Sequence, residues 1–297
     1  MRRCPLTLSR LLVPPIIPHF SALAADYDLL LCDVWGVVHN GVAASPAACD
    51  ALMRARARGA SVVFITNSPR PSEQVERQLV HLHVPRETYD AIVSSGDVTR
   101  AVMTSRVRRS LFHLGPERDA SVFAGLDLRF APLETADYVV CTGLVDDETE
   151  TPQDYRATLE QMLARKLFML CGNPDMVVER GDRLVYCAGA LADMYQTMGG
   201  EVLFAGKPYK PIYEMALARA KAAAGREVGL GRVMAIGDSV RTDLKGARTL
   251  GVDFLFITSG IHAEEVGGRD KPDATALGTV FAAAGDMPKA VMRQLMW

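Results

Sequence analysis

The chain has 297 residues, of which 49% are hydrophobic and 23% charged, with a formal net charge of -2 and a pI near 6.3. That length suggests two domains and that composition a soluble protein with a sizeable core. The balance of 33 Lys+Arg against 35 Asp+Glu lacks the basic excess that nucleic acid or an anionic membrane surface would select, and no run reaches the ~18 apolar residues of a membrane span.

Residues 1–23 read as an extended N-terminal arm. Met1-Arg2-Arg3 before Leu11-Leu12-Val13 has the outline of a signal peptide, but Pro14, Pro15 and Pro18 interrupt it and no small-residue cleavage site closes it. Leu29 to Cys32 reads as a buried strand. A helix follows, with Ser45 as N-cap, Pro46 at its first position and Gly59 as its stop. Val62 to Ile65 is the next strand, a helix ends near His81, and Ala91 to Val93 is a third strand. The rhythm resumes with a strand at Val202–Phe204, a helix from Pro211 to Ala224, a strand at Val233–Ile236, a helix from Asp243 to Leu250 and a strand at Asp253–Ile257. After about His262 the chain turns polar, and Met287 to Trp297 reads as helical. Such alternation predicts an α/β fold, a doubly wound parallel sheet covered by helices on both faces.

Between these halves lies a second α/β segment, with strands near Tyr138–Val140 and Leu167–Leu170 and a helix opened by Thr151-Pro152 and a capping-box Asp154. The predicted organisation is an arm (1–23), a core (24–107 and 201–297) and an inserted domain (108–200). Six cysteines, Cys4, Cys32, Cys49, Cys141, Cys171 and Cys187, are scattered without a Cys-x-x-Cys pair. Reduced, buried thiols in the cytoplasm fit this spacing better than a zinc site does.

Polar groups follow four of the strands in order: Asp33, Thr66-Asn67, Gly206-Lys207-Pro208, and Gly237-Asp238 with Asp243. Taken singly, each is a turn former, a helix cap or a surface loop. Together, at the carboxyl edge of a parallel sheet, they would converge on one site. A carboxylate can attack phosphorus covalently. Two carboxylates can hold magnesium, and an ammonium and a hydroxyl can stabilise phosphoryl oxygens. Gly36 and Gly237 would let the backbone approach a ligand.

In LLLCDVWGVVHNG, VVFITNSPR, FAGKPYKPIYEMAL and VMAIGDSVRTDLKGARTLGV the sequence resembles the haloacid dehalogenase superfamily, and most closely its class IIA branch of 4-nitrophenyl, nucleotide and pyridoxal phosphate phosphatases. The resemblance covers about residues 27–260 and implies a Rossmann-like core with an inserted C2-type cap. It implies that Asp33 is nucleophile and Mg2+ ligand, that the backbone carbonyl of Trp35 and the carboxylate of Asp238 also bind Mg2+, and that Asp243 supports the metal shell. It further implies that Lys207 pairs with nucleophile and phosphate, that Thr66 and Asn67 bind the phosphoryl group, and that Asn173 and Asp175 belong to a substrate-facing cap loop.

The resemblance breaks at one position. Family phosphatases carry an acid/base aspartate two residues after the nucleophile, and here Trp35 stands there. Three readings follow. The chain is an Mg-dependent phosphatase of a small phosphorylated metabolite, working through an aspartyl-phosphate at Asp33 with another acid or a good leaving group; His39 is the nearby candidate acid. Alternatively it is a low-turnover phosphometabolite-binding protein, or a dehalogenase-like hydrolase acting through an Asp33 ester. Arg70, Arg241 and Arg248 either extend the phosphate site or lie on solvated faces. No nucleic-acid or membrane partner is expected, and pairing into a homodimer stays open.

Overall fold

The computed structural model describes residues 13–106, 109–180 and 183–297. Its first part runs β1 (Leu29–Asp33), α1 (Pro46–Ala57), β2 (Ser61–Thr66), α2 (Ser72–His81), β3 (Ala91–Ser94) and α3 (Ser95–Thr104). Ser45 Oγ accepts from the Ala48 N–H at 3.3 Å, and Pro46 occupies the first turn, where a missing N–H costs nothing.

The middle part runs β4 (Ser110–Leu114), β5 (Arg129–Phe130), β6 (Tyr138–Cys141), α4 (Arg156–Ala164), β7 (Phe168–Cys171), β8 (Val177–Arg180), β9 (Arg183–Tyr186), α5 (Ala188–Thr197) and β10 (Val202–Phe204). The Thr151–Asp154 capping box is present; its helix starts as a tight turn over Pro152–Tyr155 and continues as α4.

The last part runs α6 (Lys210–Ala224), β11 (Val233–Gly237), α7 (Lys245–Leu250), β12 (Asp253–Ile257), α8 (Ala274–Ala284) and β13 (Ala290–Met292). The helix expected from Asp243 begins earlier, as a π-helical turn over Val240–Leu244. That wider turn stands where the chain passes the acidic cluster described below, a common setting for such turns.

Among the described residues, one parallel sheet has the order β13-β12-β11-β1-β2-β3 and a second the order β10-β7-β6-β4-β5; β8 and β9 form an antiparallel hairpin. All five residues of both β1 and β11 are buried, as expected of strands covered on both faces. Leu29, Leu31, Val63 and Ile65 join one core cluster, while Leu30, Cys32, Val62 and Phe64 join another. That alternation sends successive side chains to opposite faces of the sheet.

Three expectations need correction. Val202–Phe204 does not open the return to the first sheet: it pairs with β7, Val202 against Met169 and Phe204 against Cys171. A three-residue apolar run carries no mark of which sheet it joins, and here its residues are only half-buried. Met287–Trp297 is not a helix. The helix is α8, stopped by Gly285 at φ +67°, and Ala290–Met292 then adds an edge strand to the first sheet. Pro288 cannot donate to a helical ladder, and the apolar Ala290-Val291-Met292 run is buried. The described part of the N-terminal arm is not extended throughout: it turns at Phe20–Ala22 and packs on the first sheet. Ile16 bridges Val291, and the fully buried Phe20 packs edge-on against Trp297. Residues 1–12, with Cys4, lie outside the described residues.

Candidate active site

Neighbouring strands β11, β1 and β2 end side by side, and their tips carry Asp238, Asp33 and Thr66, all buried. Lys207 arrives from the other sheet, just beyond β10. It is drawn into place by Asn67, whose Oδ1 accepts from the Lys207 N–H (2.7 Å) and whose Nδ2 donates to the Lys207 carbonyl (3.2 Å). The ammonium then donates to Asp33 Oδ1 at 2.5 Å and to Asp243 Oδ1 at 2.7 Å. Asp243 Oδ2 accepts the backbone N–H groups of Asp238 (3.2 Å) and Ser239 (3.1 Å). Both oxygens of Asp243 are therefore engaged, and this residue holds the cluster together at the cavity wall.

Burial raises the Asp33 carboxyl well above the usual carboxylate range, against the pull of Lys207; Asp243 and Asp238 add to the rise. Burial pushes Asp238 up to about 7, with Asp243 again adding. Burial opposes the charge on Lys207, but Asp243 and Asp33 outweigh it and hold the ammonium well above its ordinary value. Three carboxyls around one ammonium leave an excess of negative charge that a divalent cation would relieve.

The donor set fits such a cation. One ligand atom each from Asp33, Asp238 and Asp243 lie within 4.8 Å of one another. Asp238 Oδ2 accepts from the Ile261 N–H at 2.8 Å. Among the described residues no hydrogen bond engages Asp33 Oδ2 or Asp238 Oδ1. These are hard oxygen donors of the kind magnesium takes. The backbone at residues 35–36 presses on the same place. Gly36 has φ +87°, and a Cβ there would stand 2.1 Å from Asp238 Oδ2. Only glycine lets the Trp35–Gly36 peptide come this close.

Asp33, Thr66, Lys207 and Asp238 open into a cavity of about 750 Å³ between the two sheets' loops. The Thr66 hydroxyl accepts from the Ser68 N–H at 3.2 Å and keeps its own proton to donate. The other expected binders are less open. Asn67 Nδ2 also donates to Asp175 Oδ1 at 2.9 Å, so this amide is fully engaged in linking Lys207 to the inserted segment. Asn173 Oδ1 accepts from the Asp175 N–H at 3.1 Å and thus shapes its own loop. Asp175 lines the cavity; Asn173 does not.

Trp35 lines the cavity as well. Its indole N–H donates to the Glu179 carbonyl of β8 at 2.6 Å, a contact to a main-chain atom that sequence reasoning could not find. His39 packs edge-on against the indole, with centroids 5.0 Å apart, and its Nδ1 accepts from the Gly41 N–H, leaving the proton on Nε2. Burial pushes this imidazole down to about 4, so it is neutral near pH 7 and has no extra proton to give. Of the three arginines left open, Arg241 lines the cavity and Arg248 bonds the Gly285 carbonyl at the end of α8. Arg70 meets Asp119 of the inserted segment.

Family models for haloacid dehalogenase-like hydrolases match residues 30–129 and 204–280, the two stretches that carry the strand tips. A haloacid dehalogenase-like hydrolase of Brucella suis is 44% identical, with 94% of this chain and 100% of that one covered and a TM-score of 0.85. The chain therefore belongs to the haloacid dehalogenase-like hydrolase family, and the second sheet with its hairpin is the inserted cap. It is also similar to glycerol-3-phosphate phosphatase of Gallus gallus, 25% identical over 280 residues, which span 86% of this chain and 87% of that protein. A glycerol phosphate phosphatase of Mycobacterium tuberculosis in complex with calcium shares the fold, at 21% identity, 86% and 74% coverage and a TM-score of 0.61. No helix among the described residues is long and apolar enough to cross a membrane.

Proposed function

We propose that the chain is a Mg2+-dependent phosphatase of a small phosphorylated metabolite, selective for substrates with a good leaving group. One observation carries this reading. Asp33 ends a buried strand with one oxygen on Lys207, and it lines a cavity shared with Thr66 and Asp238. The likeness to glycerol-3-phosphate phosphatase supports the substrate class. Five buried, unpaired thiols among the described residues support a reducing compartment such as the cytoplasm.

Asp33, Asp238 and the Trp35 carbonyl would hold the cation, which when bound neutralises charge on the phosphoryl oxygens. Asp33 attacks phosphorus, the P–O ester bond breaks with its electron pair on the leaving oxygen, and an aspartyl-phosphate forms. Lys207 orients Asp33 and, with Thr66, binds phosphoryl oxygens throughout. Water then attacks the same phosphorus, releasing phosphate and restoring the carboxylate. What this chain lacks is a proton donor for the leaving oxygen. Indole does not titrate at useful pH, and His39 is held neutral. Such a donor contributes typically ~10²–10⁴-fold, about 3–5 kcal/mol of barrier. Alkoxides therefore leave slowly and aryl or other acidic leaving groups well.

The Trp35 contact to Glu179 also favours a second reading, in which the protein binds a phosphometabolite with little turnover. A phosphate-release screen over metabolites, with and without magnesium and with Asp33→Asn as blank, tests both. Trapping of an acyl-phosphate at Asp33 is expected from the enzyme and not from the binder. Activity that survives a chelator would point instead to dehalogenase-like chemistry. Within the enzyme reading, Trp35→Asp raises turnover of alkyl phosphates more than that of 4-nitrophenyl phosphate, and equal gains on both would refute leaving-group selectivity.

A further inference from the structure

A second cavity, of about 310 Å³, adjoins the first across the Trp35 indole; Thr66 and Asp175 also line both. The volume suits a small molecule or the far end of one. Its chemistry differs from that of the first. Arg70 enters from the core loop after β2, Arg118 from the cap turn after β4, and Arg180 from the end of β8.

Their counter-ions are two cap carboxylates. Arg180 grips Asp147 with both terminal nitrogens, at 2.8 and 3.2 Å, Arg118 donates to the same carboxylate, and Arg70 meets Asp119 at 3.4 Å through Nε. The carboxylates are almost wholly covered, with side chains 7% and 6% exposed, while the three arginine side chains are 33–43% exposed. Both partners of each pair line the cavity, and the guanidiniums are the more exposed of the two. Three such groups face two buried carboxylates. Asp175 on the shared wall is held by Asn67, and burial raises its carboxyl toward the neutral form. Among the described residues Asp119 reaches Arg70 only through Nε, so its two terminal nitrogens keep the paired donor edge that planar oxyanions accept.

We propose that this cavity is the subsite for a second anionic group, so that the substrate carries a carboxylate or second phosphate besides the phosphoryl group presented to Asp33. The inference rests on the phosphatase reading above and narrows its substrate class. Thr66, on the wall between the cavities, holds the phosphoryl end, and the second oxyanion reaches past Trp35 to Arg70, Arg118 and Arg180. Because the three guanidiniums are part-exposed and already paired, their joint contact with a second oxyanion is expected to favour the ligand that carries one by roughly ten- to a hundredfold.

The test is calorimetric titration of the full chain, in excess magnesium, with three inert probes: propylphosphonate, phosphonopropionate and ethylenediphosphonate. Wild type is expected to bind at least one of the two probes with a second anionic group ten- to a hundredfold more tightly than propylphosphonate. Which of the two binds tighter separates a carboxylate from a second phosphate. Arg118→Gln with Arg180→Gln should collapse that preference. Arg70→Gln, which leaves both Asp147 pairs intact, should lower it even if the double variant does not fold. Equal affinity of wild type for all three probes overturns the proposal. So does a preference that survives these substitutions, since the arginines would then only brace the cap. Phosphate release from 4-nitrophenyl phosphate is measured alongside. Its absence in wild type would sink the phosphatase reading, while the probe affinities still decide the subsite.

Discussion

The two cavities that meet at Trp35 are built from the same cleft by opposite means. On one side, carboxylates cluster around a single buried ammonium; Asp33, Lys207 and Asp238 stand at or just beyond strand ends, and Asp243 on the π-helical turn after β11. On the other, guanidiniums surround buried carboxylates, and each arginine comes from a loop, a short turn or a hairpin. In the first arrangement the pairing of β11, β1 and β2 sets Asp238, Asp33 and Thr66 side by side. The second depends on how the cap is seated on the core. Specificity is the more easily varied property, and here it is lodged in the more easily varied parts.

The largest expected effect breaks the acidic side alone. Gly36→Ala would place a methyl group 2.1 Å from Asp238 Oδ2, at a backbone φ of +87° that suits only glycine. The Trp35 carbonyl or Asp238 must shift, and phosphate release should fall by about 10- to 100-fold, as when a metal site loses a supporting contact. Magnesium dependence should move to higher concentration with it. If activity and magnesium dependence both stay put, the carbonyl of residue 35 is not part of the site.

The same contrast explains what the sequence revealed. Asp33, Thr66 and Asp238 each follow a short apolar run, and parallel strands must bring such tips together, so the acidic side was legible. That Lys207 joins the cluster is legible but its route is not, because Val202–Phe204 has no feature that assigns it to a sheet. The resemblance puts Asn67 at the phosphate, yet its amide joins Lys207 to Asp175 of the cap, a use that residue type cannot announce. Arg118, Asp147 and Arg180 lie on polar segments without period, and only tertiary packing gathers them. The Glu179 carbonyl that receives Trp35 is a main-chain atom, which no residue pattern marks.

A smaller effect probes the wall between the cavities. His39 is 5% exposed, and burial pushes its imidazole down to about 4 from an ordinary 6.5. The fold favours the neutral ring. Its contribution is complete above pH 6.5, declines as the unfolded chain takes up a proton, and levels off below about 4. The loss across that window is about 3 kcal/mol. Urea unfolding at pH 7.5 and pH 4.5 should therefore show a steeper fall in wild type than in His39→Gln, which has no such proton to gain. Equal falls would mean that the ring is solvated and that the wall is looser than its packing on Trp35 implies.

The smallest effect belongs to the acidic side, where redundancy blunts single losses. Ser45 Oγ caps α1 through the Ala48 N–H and also accepts from Gln294 Nε2 at 2.7 Å, which ties the chain's last segment to the first helix. Ser45→Ala removes both bonds, but Gln294 is part-buried at the cavity edge, where water can replace its partner. The cost should be that of an N-cap, about 1 kcal/mol, read as a lower urea midpoint with an unchanged slope. A cost several times larger would show that the C-terminal segment is held to the first sheet chiefly through this hydroxyl, and not by the burial of Ala290, Val291 and Met292 in β13.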